Sequence, residues 1–379
     1  MVNAPHAVNR AIPLIDYTEG TVETDVLGPE LQPILQGLFG EVGGVMSTAK
    51  KVIREGKAYA GHQRAAEEEF GDALWYLAAL CRRLNVPLEG VFSEAVDKGG
   101  FQLVGVASDT VGGALARVAK PTTDVPLDVA LFRLARSTAE LMCERPDRAS
   151  LVSFTTAYLH ALNATDLRFA DVARGNLRKV QGAFLTPSMN ELIDFDASYE
   201  PEEQLPRKFE IRINQRTSGR SYLRWNGVFI GDPLTDNIED PDGYRFHDVF
   251  HFAYAAILHW SPVMRALIRH KRKSRPEVDE AQDGGRASVV EEGLSAWIFA
   301  RAKELDFFAG QDRVSLGILK TIGEFVSGYE VSQCPLKLWE RAILDSFVVF
   351  RQLREEQGGW VLGDRTMRTI RFEPLSWKD

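Results

Sequence analysis

Gly40-Glu41-Val42-Gly43 and, after a spacer, Glu68-Glu69-Phe70-Gly71-Asp72-Ala73-Leu74-Trp75-Tyr76-Leu77 are the residues whose reading decides the fold. At a helical period Glu69 and Asp72 stand one turn apart on one face, while Phe70, Leu74, Leu77, Cys81 and Leu84 form an apolar stripe well round from them. Upstream, Leu31, Leu35, Leu38, Val42, Val45 and Met46 make a second stripe at the same period, with Glu41 off its margin and Lys50, Lys51 and Arg54 on the following turns. Two antiparallel helices packed through these stripes bring three carboxylates together above a basic patch. Hard divalent cations such as Mg²⁺ take oxygen ligands of this kind and fill their remaining positions with water and substrate phosphates.

These motifs, with the Gly71-Asp72-Ala73-Leu74-Trp75-Tyr76-Leu77 tail, resemble the MazG-like nucleoside triphosphate pyrophosphohydrolases of the all-α NTP pyrophosphatase superfamily. The resemblance covers residues 30–100. It implies an all-α fold with an ExxE motif, an ExxD motif on a facing helix and usually a downstream NxxK. It also implies Mg²⁺-dependent cleavage of a nucleoside triphosphate to the monophosphate and pyrophosphate, with Mn²⁺ as a substitute cation. Carried onto this chain, it makes Glu41, Glu69 and Asp72 the catalytic, metal-holding carboxylates and gives Lys51, Arg54 and Lys98 to the phosphates. Two positions depart from the pattern. The second Glu of ExxE is Gly44, and the expected NxxK reads Ala95-Val96-Asp97-Lys98, so Glu68 or Glu140 is needed to replace the absent ligand.

The chain has 379 residues, enough for two or three domains with adequate cores, and its 45% apolar and 26% charged content is that of an ordinary globular protein. A net charge of −8 argues against nucleic-acid binding through bulk charge. Cys81, Cys143 and Cys334 are widely spaced and odd in number, which points to a reducing compartment rather than a disulfide framework. The first residues lack a basic region followed by an apolar one, and no apolar run is long enough to span a bilayer. A cytoplasmic protein is expected, with a nucleoside triphosphate as its small-molecule partner and without membrane association. MazG-like units commonly associate through their helices, so the resemblance implies a homo-oligomer.

In chain order, Pro5, Pro13, Gly20, Gly28 and Pro29 mark residues 1–29 as an irregular arm. A helical domain follows at 30–104, then a linker. From Leu127 the pattern starts again, and residues 127–186 read as a degenerate second repeat. Leu134 to Met142 lies against Leu38 to Met46, which sets Ser137 opposite Glu41 and Glu140 opposite Gly44. This copy has no ExxD, yet Asn176-Leu177-Arg178-Lys179 is a full NxxK. The complementarity predicts a composite site in which the second copy supplies Asn176, Lys179 and Glu140; drift, with the second copy merely packing, is the alternative.

The Pro-rich, acidic residues 186–207 read as a domain boundary, followed by a C-terminal domain over 207–379. Phe209 to Ile213 alternates with period two and predicts a hairpin. Phe246 to Trp260 has a helical pattern that puts His247, Asp248 and His251 on one side. Histidines four apart have the spacing of metal ligands, and Glu291 or Glu292 adds an oxygen for a second, transition-metal site; hydrogen-bonded histidines steering helix packing are the alternative. Arg265, Arg269, His270, Lys271, Arg272, Lys273 and Arg275 form a basic cluster, read either as a solvated face or as a phosphate site. This part resembles the C-terminal domain that follows the MazG-like unit in some longer relatives. The expectation is a mainly α protein: a MazG-like helical bundle in tandem degenerate repeat, plus an α-rich C-terminal domain with a small β element. Nucleoside triphosphate pyrophosphohydrolysis is the leading activity. A catalytically weakened nucleotide sensor or scaffold, and a metal-dependent hydrolase centred on the C-terminal domain, are the rivals.

Overall fold

The computed structural model describes residues 13–103, 118–121, 124–236 and 238–376. It is mainly α with a small β element, and it divides into two compact units, residues 1–185 and 186–379. No helix among the described residues is long and apolar enough to cross a membrane.

The first unit is built from α1 (Leu14–Gly20), α2 (Leu31–Glu55), α3 (His62–Leu84), α4 (Leu88–Gly99), the paired strands β1 (Phe101–Leu103) and β2 (Val118–Pro121), α5 (Leu127–Leu141), α6 (Arg148–Ala164) and α7 (Phe169–Phe184). The stripe of α2 buries Ile34, Leu35, Leu38, Val42 and Val45 against α3. From Phe70 onward α3 buries more than its stripe, since Ala73, Ala79 and Leu80 are also inside. Helix α4 opens at Pro87, where a missing backbone donor costs nothing.

The two stretches read as repeats lie in one unit and do not form separate domains. Helix α2 packs on α3 and α5 on α6, but α7 packs on α3 and α4 packs on α6. Each half therefore lends its third helix to the other, and a single core runs through both. At the centre Tyr158 on α6 donates to the Phe70 carbonyl at 3.0 Å.

The irregular arm is corrected by the structure. Leu14 and Tyr17 are fully buried, and Thr24 accepts a hydrogen bond from the Trp75 indole at 2.8 Å. Asp25 binds Arg83 at 2.7 Å and Arg82 at 3.0 Å, tying the arm to the end of α3. Of the expected linker, residues 104–117 and 122–123 lie outside the described residues, while 118–121 form a strand.

The second unit contains β3 (Lys208–Gln215), β4 (Ser221–Trp225), β5 (Val228–Leu234), α8 (Asp248–Ala253), α9 (Pro262–Ile268), α10 (Pro276–Ala281), α11 (Gly285–Lys303), α12 (Leu316–Phe325), α13 (Leu336–Glu356), β6 (Gly358–Asp364) and β7 (Thr369–Glu373). The predicted hairpin belongs to an antiparallel sheet in the order β5-β4-β3-β6-β7. Phe209, Ile211 and Ile213 point from β3 into a core completed by α8 and α13.

The division between the two units falls at 185/186, at the start of the stretch read as a boundary, and residues 186–207 belong to the second unit. The unit begins at 186 because Asp194 and Asp196 in this stretch are ion-pair partners of arginines distant in sequence. Arg265 is paired with Asp196, and Arg272 meets Asp283 and Glu330 at 2.6 Å each, with both guanidinium groups fully buried. Two members of the basic cluster are thus internal struts, neither a solvated face nor a phosphate site.

Helix α7 approaches α3 closely at Gly71, where a Cβ would lie 2.8 Å from Asn176 Cβ. Gly71→Ala is expected to push α7 off α3 and to destabilise the unit by about 1–3 kcal/mol, as overpacking does, read as a lower urea midpoint.

Candidate functional site

Three helices converge on one group of polar side chains in the first unit. Helix α2 brings Glu41; α3 brings Glu68, Glu69 and Asp72; α7, from the other half, brings Asn176 and Lys179. Asn176 Nδ2 donates to Asp72 Oδ1 at 2.9 Å, and Lys179 Nζ lies 2.5 Å from Asp72 and 3.1 Å from Glu68 Oε1. The Tyr17 hydroxyl donates to Asn176 Oδ1 at 2.7 Å, which fixes the buried amide with its NH₂ toward Asp72. Tyr17 escaped the sequence reading because it lay in the supposed arm. The Leu14–Tyr17 apolar pair after Pro13, one helical turn apart, was the available signal.

The group carries more negative charge than Lys179 balances. The Glu41 carboxyl is pushed up to about 8, first by burial, then by the charges of Asp72 and Glu69 and a hydrogen bond with Glu69, against a smaller opposing effect of Lys179. Such a group takes up either a proton or a cation. Its donors are all carboxylate oxygens, the set a hard dication requires, so the Mg²⁺ implied by the resemblance fits the residues present.

Gly44 has a definite consequence here. A Cβ at this position would lie 2.0 Å from Glu69 Oε2 and 2.5 Å from its Cδ. The Glu69 carboxylate therefore rests against bare helix backbone, in the space where a second ExxE side chain would begin.

The remaining expected residues lie elsewhere. Glu140 is exposed and bound by Arg136 one turn back at 3.0 Å, because the α5 face that carries it turns to solvent. It lines a cavity of about 600 Å³ with Lys98, Arg133, Ser137 and His160. Lys98 is held there by Glu94 at 2.8 Å, again one turn back. Ser137, opposite Glu41 in the repeat, is buried and donates to the Leu134 carbonyl. Lys51 sits 5.8 Å over the Tyr59 ring, and Arg54 pairs with its neighbour Glu55. Of the residues expected to complete the site around the carboxylates, Asn176 and Lys179 contact them.

In the second unit His247, Asp248 and His251 have ligand atoms within 4.8 Å of one another. His247 Nδ1 is hydrogen-bonded to the Tyr244 carbonyl at 2.9 Å, and the Tyr244 ring stacks on the imidazole at 4.4 Å. His251 Nδ1 meets Glu291 Oε1 at 2.8 Å. Glu291 is fully buried and its other contacts are with the Ser261 hydroxyl at 2.6 Å and the Val263 amide at 2.8 Å. It therefore orients His251 from behind, and Glu292 is the carboxylate on the histidine side, 3.4 Å from His251 Nε2 and 3.7 Å from His247 Nε2. Burial opposes a charged His251, but the Glu291 charge and hydrogen bond, with Glu292 behind them, raise it to about 10. Burial raises the Asp248 carboxyl. A π-helical turn, Tyr254–Leu258, follows immediately, a feature that often marks functional segments.

Residues 190–376 match the family model of the MazG C-terminal domain. The match supports a MazG-family relationship. It takes in the histidine group and begins beyond the first unit, so it does not include the carboxylate group. No curated protein and no solved structure matches the chain.

The Glu41 shift fixes the sign of one pH dependence. The folded chain holds a proton to about 8 that the unfolded chain releases near 4.5, so this group stabilises below that range and its contribution is lost as pH rises through it. In EDTA, urea midpoints of the wild type are expected to fall from pH 5 to pH 8 more steeply than those of Glu41→Gln; parallel slopes would remove the shift.

Proposed function

We propose that the first unit is a Mg²⁺-dependent nucleoside triphosphate pyrophosphohydrolase that splits the bond between the α and β phosphates. The observation that carries this reading is the chain Tyr17–Asn176–Asp72–Lys179, which completes the carboxylates of one half with the NxxK residues of the other. The match to the MazG C-terminal domain adds a MazG-family context.

Glu41, Glu69 and Asp72 would hold the cation, Mg²⁺ or Mn²⁺ in its place. When bound, it would draw charge from phosphoryl oxygens and lower the pKa of coordinated water. Glu41 would have to give up its proton to serve as a ligand, which would couple metal affinity to pH. Asn176 holds Asp72 in one orientation, so the carboxylate is set before substrate arrives. Lys179, partly exposed beside the carboxylates, presents its ammonium to the phosphate oxygens and offsets their repulsion from the acidic group.

The test is pyrophosphate release by the full chain from a panel of ribo- and deoxyribonucleoside triphosphates, with Mg²⁺ and with EDTA. Cation-dependent release is expected, with a loss of about 10³-fold or more in Asp72→Asn at unchanged helical content. Nucleotide-induced thermal stabilisation without release would overturn hydrolysis and leave a binding module.

Gly44→Ala gives a second, finer check. A methyl there displaces the Glu69 carboxylate while the helix gains propensity. The fold is expected to hold and the Mg²⁺ concentration for half-maximal activity to rise about tenfold.

A further inference from the structure

The second unit contains an assembly that the first unit's chemistry does not use. His251 is fully buried, yet its Nε2 makes no hydrogen bond. Its nearest partner, Glu292 Oε2, lies 3.4 Å away, and a buried imidazole nitrogen without a hydrogen bond is costly to leave. Its opposite nitrogen is held by Glu291, a carboxylate with 0% exposure that receives a hydroxyl and a backbone amide as well. Such a carboxylate–histidine pair sets the ring so that the free nitrogen faces forward, and it makes that nitrogen a stronger donor.

The same logic holds for the second imidazole. His247 Nδ1 is taken by the Tyr244 carbonyl, which accepts only from a protonated nitrogen, so Nε2 carries the lone pair. The Tyr244 ring stacked on His247 locks the plane. Both Nε2 atoms face Glu292, and Asp248, 6% exposed, offers a carboxylate oxygen within 4.8 Å of a ring nitrogen of each histidine. Glu292 is 45% exposed at its side chain, so the group opens to solvent on one side.

We propose that His247, Asp248, His251 and Glu292 form a binding site for a transition-metal dication, with Glu291 as the positioning residue behind His251. Two imidazole nitrogens with two carboxylate oxygens suit Zn²⁺, Mn²⁺, Fe²⁺ or Co²⁺, whereas Mg²⁺ and Ca²⁺ prefer oxygen alone. The solvent-facing Glu292 side leaves room for water or an oxygen-donor ligand, as in sites with an open coordination position. This site is independent of the carboxylate group in the first unit, and it stands or falls separately from nucleotide hydrolysis.

The experiment uses the full chain, stripped with chelator and then titrated with Co²⁺ alone, followed by Zn²⁺ competition. Visible d–d absorption saturating at one Co²⁺ per chain is expected. Zn²⁺ should remove it, and millimolar Mg²⁺ should leave it in place. His247→Ala and Glu292→Gln, both at partly exposed positions, should abolish the bands while circular dichroism is unchanged. Glu291→Gln should weaken Co²⁺ binding about 10–100-fold rather than abolish it. Asp72→Asn, in the other unit, should titrate like the wild type. Absence of d–d bands in the wild type, or identical titrations for wild type and His247→Ala, would overturn the site. A sulfur-to-cobalt charge-transfer band, which would place the ion on a cysteine instead, would do the same.

Discussion

Helix α7 crosses α3 where Gly71 has no side chain, and the carboxylate site depends on that approach. Only because the backbones come this close does the short amide of Asn176 reach Asp72 while its carbonyl still meets Tyr17. The crossing is also what unites the halves, with its counterpart in α4 on α6. Neither half covers the apolar stripe of its third helix alone. Folding, packing and assembly of the polar group are thus one event, and the loss of contact at Gly71 would reach all three.

A symmetric dimer must build two equal sites, because every contact occurs twice. Two halves on one chain are released from that requirement. The corner built from Glu41, Glu69, Asp72, Asn176 and Lys179 retains its groups. In the opposite corner Ser137 turns inward to a carbonyl, Lys98 pairs with Glu94, and the NxxK asparagine is Ala95. Covalent linkage keeps the second half at high effective concentration, so it can hold a structural role without a ligand set of its own.

Helices with a clean apolar period were legible in the sequence, because burial on one face imposes that period. This holds for α2 and α3, and the opening of α4 was legible through Pro87. The histidine group was legible as a spacing, although spacing alone does not say that Glu291 supports and Glu292 faces the ring nitrogens. What stayed hidden depended on partners distant in the chain. Prolines and acids at 186–207 look like a linker until Arg265, Arg272 and Arg365 are seen to need Asp194 and Asp196. In β6 the alternation is blurred by Gly359 and Gly363, which lie under the Phe372 and Phe209 rings. The arm failed for a related reason: a helix of about two turns shows too little period to be recognised, yet Tyr17 decides how Asn176 is oriented.

Gly44 shows why a missing ligand need not mean an emptied site. In a crowded acidic group each carboxylate raises the cost of the next; the Glu41 shift to about 8 comes first from burial and then from this crowding by Asp72 and Glu69. A fourth side chain at position 44 would add charge and would collide with Glu69 where it now lies. Removing it relieves both, and Glu69 settles against the vacated backbone close to Glu41. The residue read from sequence as a gap is therefore the reason the remaining carboxylates fit together.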